Sequence, residues 1–190
     1  MPIKMLFKTV DKLNPAVSVS FKNDLSSIVN QVAEQKSVNL STIGTHYNTA
    51  IFLANGHVKS KYYNETGDEI ITRIYGPGEI FTDLNAFFMH ERVSVELTTI
   101  TPCDLLVLNR EDMVMLKKYP ETDKLKNAMF LVEKELDFQR TLMMMMKPKA
   151  RFIHFAERYP FTQLQNKVCA NFLNLHDSDY CTFKSNYLKR

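Results

Sequence analysis

The chain has 190 residues, 45% of them hydrophobic, and a formal net charge of +3. That length suits one ordinary domain with a small second one, and that apolar content excludes wholesale disorder. No run of about 18 apolar residues is present and the charged start does not read as a secretory signal, so no membrane partner is expected and the expected compartment is the cytoplasm.

Residues 1–35 read as helical with breaks. Asn14-Pro15 marks a turn, and Val19, Phe21, Leu25, Ile28, Val29 and Val32 recur at helical spacing. From Lys36 to Asn109 the pattern changes to short β-rich runs: Thr49 to Leu53, His57 to Tyr63, Glu69 to Tyr75, Val93 to Ile100 and Asp104 to Leu108. Ala54-Asn55-Gly56, the Asn64 to Asp68 turn, Gly76-Pro77-Gly78 and Thr101-Pro102 punctuate them. Short strands with Gly and Pro punctuation predict an all-β roll or barrel.

Asp112 to Lys118 predicts a short helix that stops at Tyr119-Pro120. Glu121 to Met146 then runs without Gly or Pro, with Leu125, Met129, Val132, Leu136 and Met143 spaced as a heptad-like seam. At about 1.5 Å per residue the helix is roughly 40 Å long, more than a small roll can cover. A partner helix is the simplest cover, which predicts a homodimer through Leu125, Met129, Val132 and Leu136. The run Met143 to Met146 reads as core.

Pro148 separates this helix from a basic segment. From Lys147 onward eight basic side chains face three acidic ones, a local balance of +5 that leaves −2 on the rest. Such an asymmetry is an electrostatic pointer to a polyanion. Ala150 to Tyr159, Leu164 to Phe172 and Ser178 to Leu188 predict three helices. Between the last two, Asn174 can take a left-handed backbone and Asp177 or Ser178 can cap the final helix. Two helices joined by a tight turn on a basic segment make a helix-turn-helix candidate.

No chemistry-bearing constellation stands out. Cys103, Cys169 and Cys181 are odd in number and widely spaced, which favours neither a disulfide framework nor a zinc site. No Gly-x-Ser-x-Gly, phosphate loop or His-Glu-x-x-His occurs. The five histidines are scattered, so no catalytic residue, no metal and no cofactor is expected.

The order of pieces resembles the Crp/Fnr family of catabolite-activator-like regulators, particularly its compact Bacteroidetes-type, bacterial members. The stretches that carry the resemblance are Ile51 to Lys59, Asn64 to Thr72, Tyr75-Gly76-Pro77-Gly78-Glu79-Ile80-Phe81, Lys118-Tyr119-Pro120-Glu121, Arg158-Tyr159-Pro160 and Asn166 to Leu173. The resemblance implies an α+β chain. It would comprise a cyclic-nucleotide-binding-like β-roll (a double-stranded β-helix, or cupin-like jelly roll) over 1–120, a dimerisation helix over 121–147 and a helix-turn-helix over 148–190. It implies a small-molecule effector in the roll near Thr82, Asp83, Leu84, Arg92, Val93 and Ser94. Where the family's nucleotide cassette has a close-approach Gly, a Glu for the ribose and an Arg for the cyclic phosphate, an ungapped match puts Thr82, Asp83 and Val93. Arg92 is one residue off, and in a strand that turns a side chain to the opposite face. Cyclic AMP is therefore not the expected effector. An iron–sulfur sensor is excluded because the first cysteine is Cys103.

The resemblance also implies double-stranded DNA as a partner, and RNA polymerase as a further contact. Lys167, Lys184, Ser185, Lys189 and Arg190 would touch phosphates, and Ser178 and Thr182 would reach base edges. Cys181 and Thr182 stand where the family places a Ser-Arg reading pair, and Arg is the commonest reader of guanine. The alternative is a degenerate relative that serves as a ligand-binding or protein-interaction module without specific DNA reading.

Overall fold

The computed structural model describes residues 2–189. Two N-terminal helices, α1 (Pro2–Leu13) and α2 (Val19–Ile28), precede seven strands. These are β1 (Val29–Glu34), β2 (Thr49–Asn55), β3 (Val58–Tyr63), β4 (Glu69–Tyr75), β5 (Ile80–Phe81), β6 (Glu96–Thr99) and β7 (Cys103–Asn109). A short helix α3 (Leu84–Met89) lies between β5 and β6, and a 3-10 turn (Asp112–Leu116) follows β7. The long helix α4 (Glu121–Met145) leads to α5 (Pro148–Ala156), α6 (Asn166–Phe172) and α7 (Asp177–Leu188).

The strands form two antiparallel sheets, β1-β7-β2-β5 and β4-β3-β6. Ile51, Leu53, Val58, Tyr75, Phe81, Leu97 and Leu105 fill the space between them. The chain first passes from one sheet to the other at the β2–β3 turn. Gly56 takes φ +91 there, and a Cβ would meet the Pro102 carbonyl at 2.4 Å and Cys103 Sγ at 2.7 Å. Only a glycine allows that close approach. The helices α1 and α2 close the outer face of the first sheet with Leu6, Val10, Phe21 and Leu25 against Phe52 and Leu106.

Five strands lie where alternation and turn residues predict them. Two further strands differ. The helix expected through Val32 stops at Ile28, capped at its start by Ser18, and Val29–Glu34 pairs with β7 over six residues. Strand pairing wins there because Val29 and Val32 fit either period, and an antiparallel neighbour satisfies their backbone. The second is β5, only two residues long and unforeseen.

At the other end, α5, α6 and α7 enclose Phe152, Phe155, Phe161, Phe172, Leu173 and Tyr180. This cluster continues into the roll through Ile71, Ile74 and Ile100. Asn171 of α6 ties the two together: its side-chain oxygen accepts the Ile71 N–H at 2.8 Å and its amide donates to the Glu69 carbonyl at 2.6 Å. Of the methionine run, Met143 is buried, Met144 and Met146 are half-buried, and Met145 is 80% exposed. Among the described residues no helix is long and apolar enough to cross a membrane.

Candidate functional site

The roll carries a polar pocket of about 240 Å³ on the side that faces α4. Its sheet wall includes Ser60 and Arg73; its floor is Thr82, Asp83, Leu84 and Ser94; Glu133 and Asp137 of α4 close it. Four of the six expected effector residues therefore meet here.

Asp83 organises the floor. It caps α3, accepting the Ala86 N–H at 3.0 Å, and its other oxygen accepts the Ser94 N–H at 3.0 Å and the Ser94 hydroxyl at 3.1 Å. A carboxylate has about four acceptor sites, so little is left for a sugar hydroxyl. Thr82 donates to the Thr49 carbonyl at 2.7 Å, and its side chain fills the space a glycine would leave open.

Arg92 and Val93 are not in the pocket. Val93 is buried in the roll core, while Arg92 is exposed and donates to the Gly44 carbonyl at 2.8 Å. The offset of one residue places these two side chains on opposite faces, as the pleat requires.

The cation that does face the pocket is Arg73, which sequence reasoning missed. On β4 Arg73 shares its face with Tyr75, which packs between the sheets, while Ile71 and Ile74 pack toward the C-terminal cluster across the irregularity at Thr72, so a guanidinium occupies an inward, apolar-phase position. That position in the period-2 pattern was the available signal. Arg73 is already engaged: its Nη2 lies 2.6 Å from Asp137 Oδ1, 3.3 Å from Glu133 Oε2 and 3.1 Å from the Glu133 carbonyl. Burial pushes the Glu133 carboxyl above its ordinary range, and the neighbouring Asp137 charge adds to this, although Arg73 opposes both. One cation thus stands among three carboxylates, a poor host for a further phosphate.

The residues expected at a dimer seam mostly face the chain itself. Leu125, Met129 and Leu136 are half-buried and line clefts between α4 and the rest of the chain, and of the four only Val132 is exposed. The apolar residues that point outward are Leu131 (68% exposed), Phe138 (56%), Leu142 and Met145. With Ala128 and Glu135 they recur at 128, 131, 135, 138, 142 and 145, a heptad spacing on a second face. Two apolar stripes run along α4, and sequence spacing could not tell which one its own roll would take.

The C-terminal helices meet in a tight turn. Asn174 has φ 48, the left-handed value expected of it, and His176, rather than Asp177 or Ser178, takes the N-cap of α7. Tyr180 is buried against Phe152, while Ser178, Cys181, Thr182, Ser185 and Lys189 are exposed along α7. Lys167 is exposed on α6. Several expected contact groups are locally engaged. The Thr182 hydroxyl donates to the Ser178 carbonyl at 2.9 Å, Ser178 Oγ lies 2.8 Å from His176 Nδ1, and Lys184 donates to Asn166 Oδ1 at 2.8 Å over the Phe161 ring. Arg190 lies outside the described residues.

Among the described residues no group of three metal-ligating side chains comes together.

Residues 39–118 match the family described as cyclic nucleotide-binding domain. No curated protein matches the chain. Solved structures resemble it at low identity. FixK2 of Bradyrhizobium japonicum has a TM-score of 0.74 at 13% identity, with 85% of each chain covered. The regulator CLP of Xanthomonas campestris has 0.70 at 12%, with 90% of this chain and 92% of that one covered. The catabolite activator protein of Thermus thermophilus has 0.58 at 15%, with 93% and 86% covered. Residues 39–118 thus match the cyclic nucleotide-binding domain family, and the chain around them shares its fold with these solved structures.

Proposed function

We propose that this protein is a homodimeric, non-catalytic DNA-binding transcription regulator of the Crp/Fnr type. In this reading residues 1–120 are the sensor, 121–147 the dimerisation helix and 148–190 a helix-turn-helix. The observation that carries it is the α6–α7 pair. A left-handed Asn174 makes the tight turn, Tyr180 and Phe172 anchor the two helices, and the outer face of α7 stays free of packing. A helix held in that way can enter a major groove, and a symmetric dimer would present two of them. The exposed Leu131–Phe138–Leu142 face of α4 supports the dimer.

In this reading the roll pocket takes an effector other than cyclic AMP. Arg73 is ion-paired, Asp83 is largely committed, and Val93 sits in the core where a phosphate partner would be needed. The Xanthomonas neighbour is a c-di-GMP-responsive global regulator, so this fold serves effectors beyond cyclic AMP. Calorimetry with cyclic AMP should show no binding in the low micromolar range.

The engaged Ser178 and Thr182 hydroxyls, with Asp177 and Asp179 in the first turn of α7, favour a second reading: an interaction module that no longer reads DNA. Anisotropy with random duplex across a salt series, followed by selection from genomic fragments, separates the two. Affinity that falls steeply with salt supports the regulator. No affinity at low salt together with an empty selection overturns it in favour of the module.

A further inference from the structure

A second cleft, of about 320 Å³, lies apart from the roll pocket, between the end of β4, the C-terminal half of α4 and the stretch from α5 to Pro160. It is the junction of all three parts of the chain, and it is lined by unlike groups. His57 is 95% buried, and its ring Nε2 finds no partner among the described residues. The His57 main chain is fully occupied: its N–H donates to Thr101 Oγ1, and its carbonyl accepts from Ile100. The ring alone is idle. Arg140 donates from Nη2 to the Ile71 carbonyl at 3.1 Å, while its buried Nε is also without a partner. Arg158 reaches across to Gln139 Oε1 at 3.2 Å, and His154 stands on the same wall. Opposite them, Glu79 accepts the Gly76 N–H.

Buried polar atoms are nearly always paired, and two orphans facing one cavity need an explanation. The charges give it a sign. Arg140 and Arg158 bring two fixed cations to the cleft. Burial raises the Glu79 carboxyl above its ordinary range, against the pull of the Gly76 N–H, and burial lowers the His57 ring below its own. The remaining wall is apolar, with Ile74, Leu136 and Met143. Volumes of this order hold small metabolites.

We propose that this cleft is a second ligand site, for a small organic anion: a carboxylate or phosphate group on an apolar body. The anion pairs with the Arg140 and Arg158 guanidiniums, and the His57 ring nitrogen satisfies a polar atom on the body. A ligand held there touches the roll, α4 and the C-terminal helices at once, so its binding would bias how those parts sit on one another. This site is distinct from the roll pocket, and the proposal stands whether or not the chain reads DNA.

The test uses the full-length labelled protein, with phenyl phosphate and benzoate as probes and benzyl alcohol as the neutral control. The His57 and His154 ring signals should move saturably with at least one anion, reaching half-saturation below about 10 mM. Which anion acts separates a phosphate from a carboxylate source. Benzyl alcohol should leave the ring signals in place. Arg158→Gln, at an exposed position, should weaken binding by roughly tenfold or more, because a hydrogen bond to a charged group is lost. Arg158→Lys should restore part of it. The amide signals of Thr82 and Ser94 in the roll pocket should stay fixed throughout. No saturable movement with either anion, an unchanged affinity in Arg158→Gln, or movement at Thr82 and Ser94 in place of His57 overturns the proposal.

Discussion

Arg73 on the inward face of β4 and Asp137 on α4 meet at 2.6 Å, and this contact joins the roll to the long helix. The two ends of the pair are unequally exposed: the Arg73 side chain is 10% exposed and that of Asp137 is 76%. Removing the exposed end should matter little, because an exposed ion pair contributes about 0–1 kcal/mol. Removing the buried end leaves Glu133 without its cation in a half-buried place. Asp137→Asn should therefore cost less than about 1 kcal/mol. Arg73→Met should cost about 2–3 kcal/mol, below the roughly 3–5 kcal/mol for breaking a fully buried pair, because Glu133 is only half-buried. Urea unfolding of both variants checks the asymmetry, and equal losses would contradict it.

The two stripes of α4 should separate by mutation. Leu131→Glu with Phe138→Glu places charge on the outward face and should give monomers in sedimentation velocity without loss of helix. Leu136→Ala, on the inward stripe, should keep the oligomeric state and lower stability by about 1–2 kcal/mol, since the side chain is only half-buried. A wild-type protein that is monomeric at micromolar concentration removes the dimer from the reading.

Lys167 and Lys184 look alike in sequence and should behave differently. Lys167 projects freely from α6, so Lys167→Ala should weaken binding to all duplexes alike and flatten the salt dependence by roughly one unit of slope. Lys184 holds Asn166 and covers Phe161, so Lys184→Ala should lower the unfolding midpoint more than it lowers DNA affinity. Thr182→Arg should sharpen sequence preference, with each bidentate base contact adding about 1–3 kcal/mol of discrimination. Anisotropy across a salt series reads the first and third effects, and thermal unfolding the second.

Glu79 gives a pH dependence of definite sign. Burial raises its carboxyl above the ordinary 4.5, and the hydrogen bond from Gly76 only partly opposes this. The folded chain then holds that proton more tightly than the unfolded chain. Its contribution falls as pH climbs from 4.5 to the raised value and stays reduced at pH 7. Glu79→Gln keeps an acceptor for the Gly76 N–H and removes the titration. The variant should match the wild type below pH 4.5 and become the more stable of the two as pH rises toward 7. Chemical unfolding at both ends of that range decides it.

What could be read from the sequence depended on whether one local pattern determined the outcome. Gly56, Pro77, Gly78 and Pro102 mark turns by backbone chemistry alone, so the strands between them were legible. Asn174 was legible for the same reason. Val29 to Glu34 was not, because its apolar spacing fits a helix or a strand and the choice is made by β7, some seventy residues away. The roll pocket was half legible: its floor of Thr82, Asp83, Leu84 and Ser94 was found, but Arg73 enters from another strand and Glu133 from another element. On α4, periodicity showed that apolar stripes exist and could not assign either one to its partner.

Asn171 has a consequence for solubility. β4 is an edge of its three-stranded sheet, and an open edge is a template for pairing with another chain. The Asn171 carboxamide imitates a neighbouring strand, accepting from Ile71 and donating to Glu69 as a backbone peptide would. The α6 helix therefore acts as a guard on that edge. Any movement that lifts the C-terminal helices away from the roll exposes two unsatisfied strand groups, and the chain is then open to sheet-to-sheet association until α6 returns.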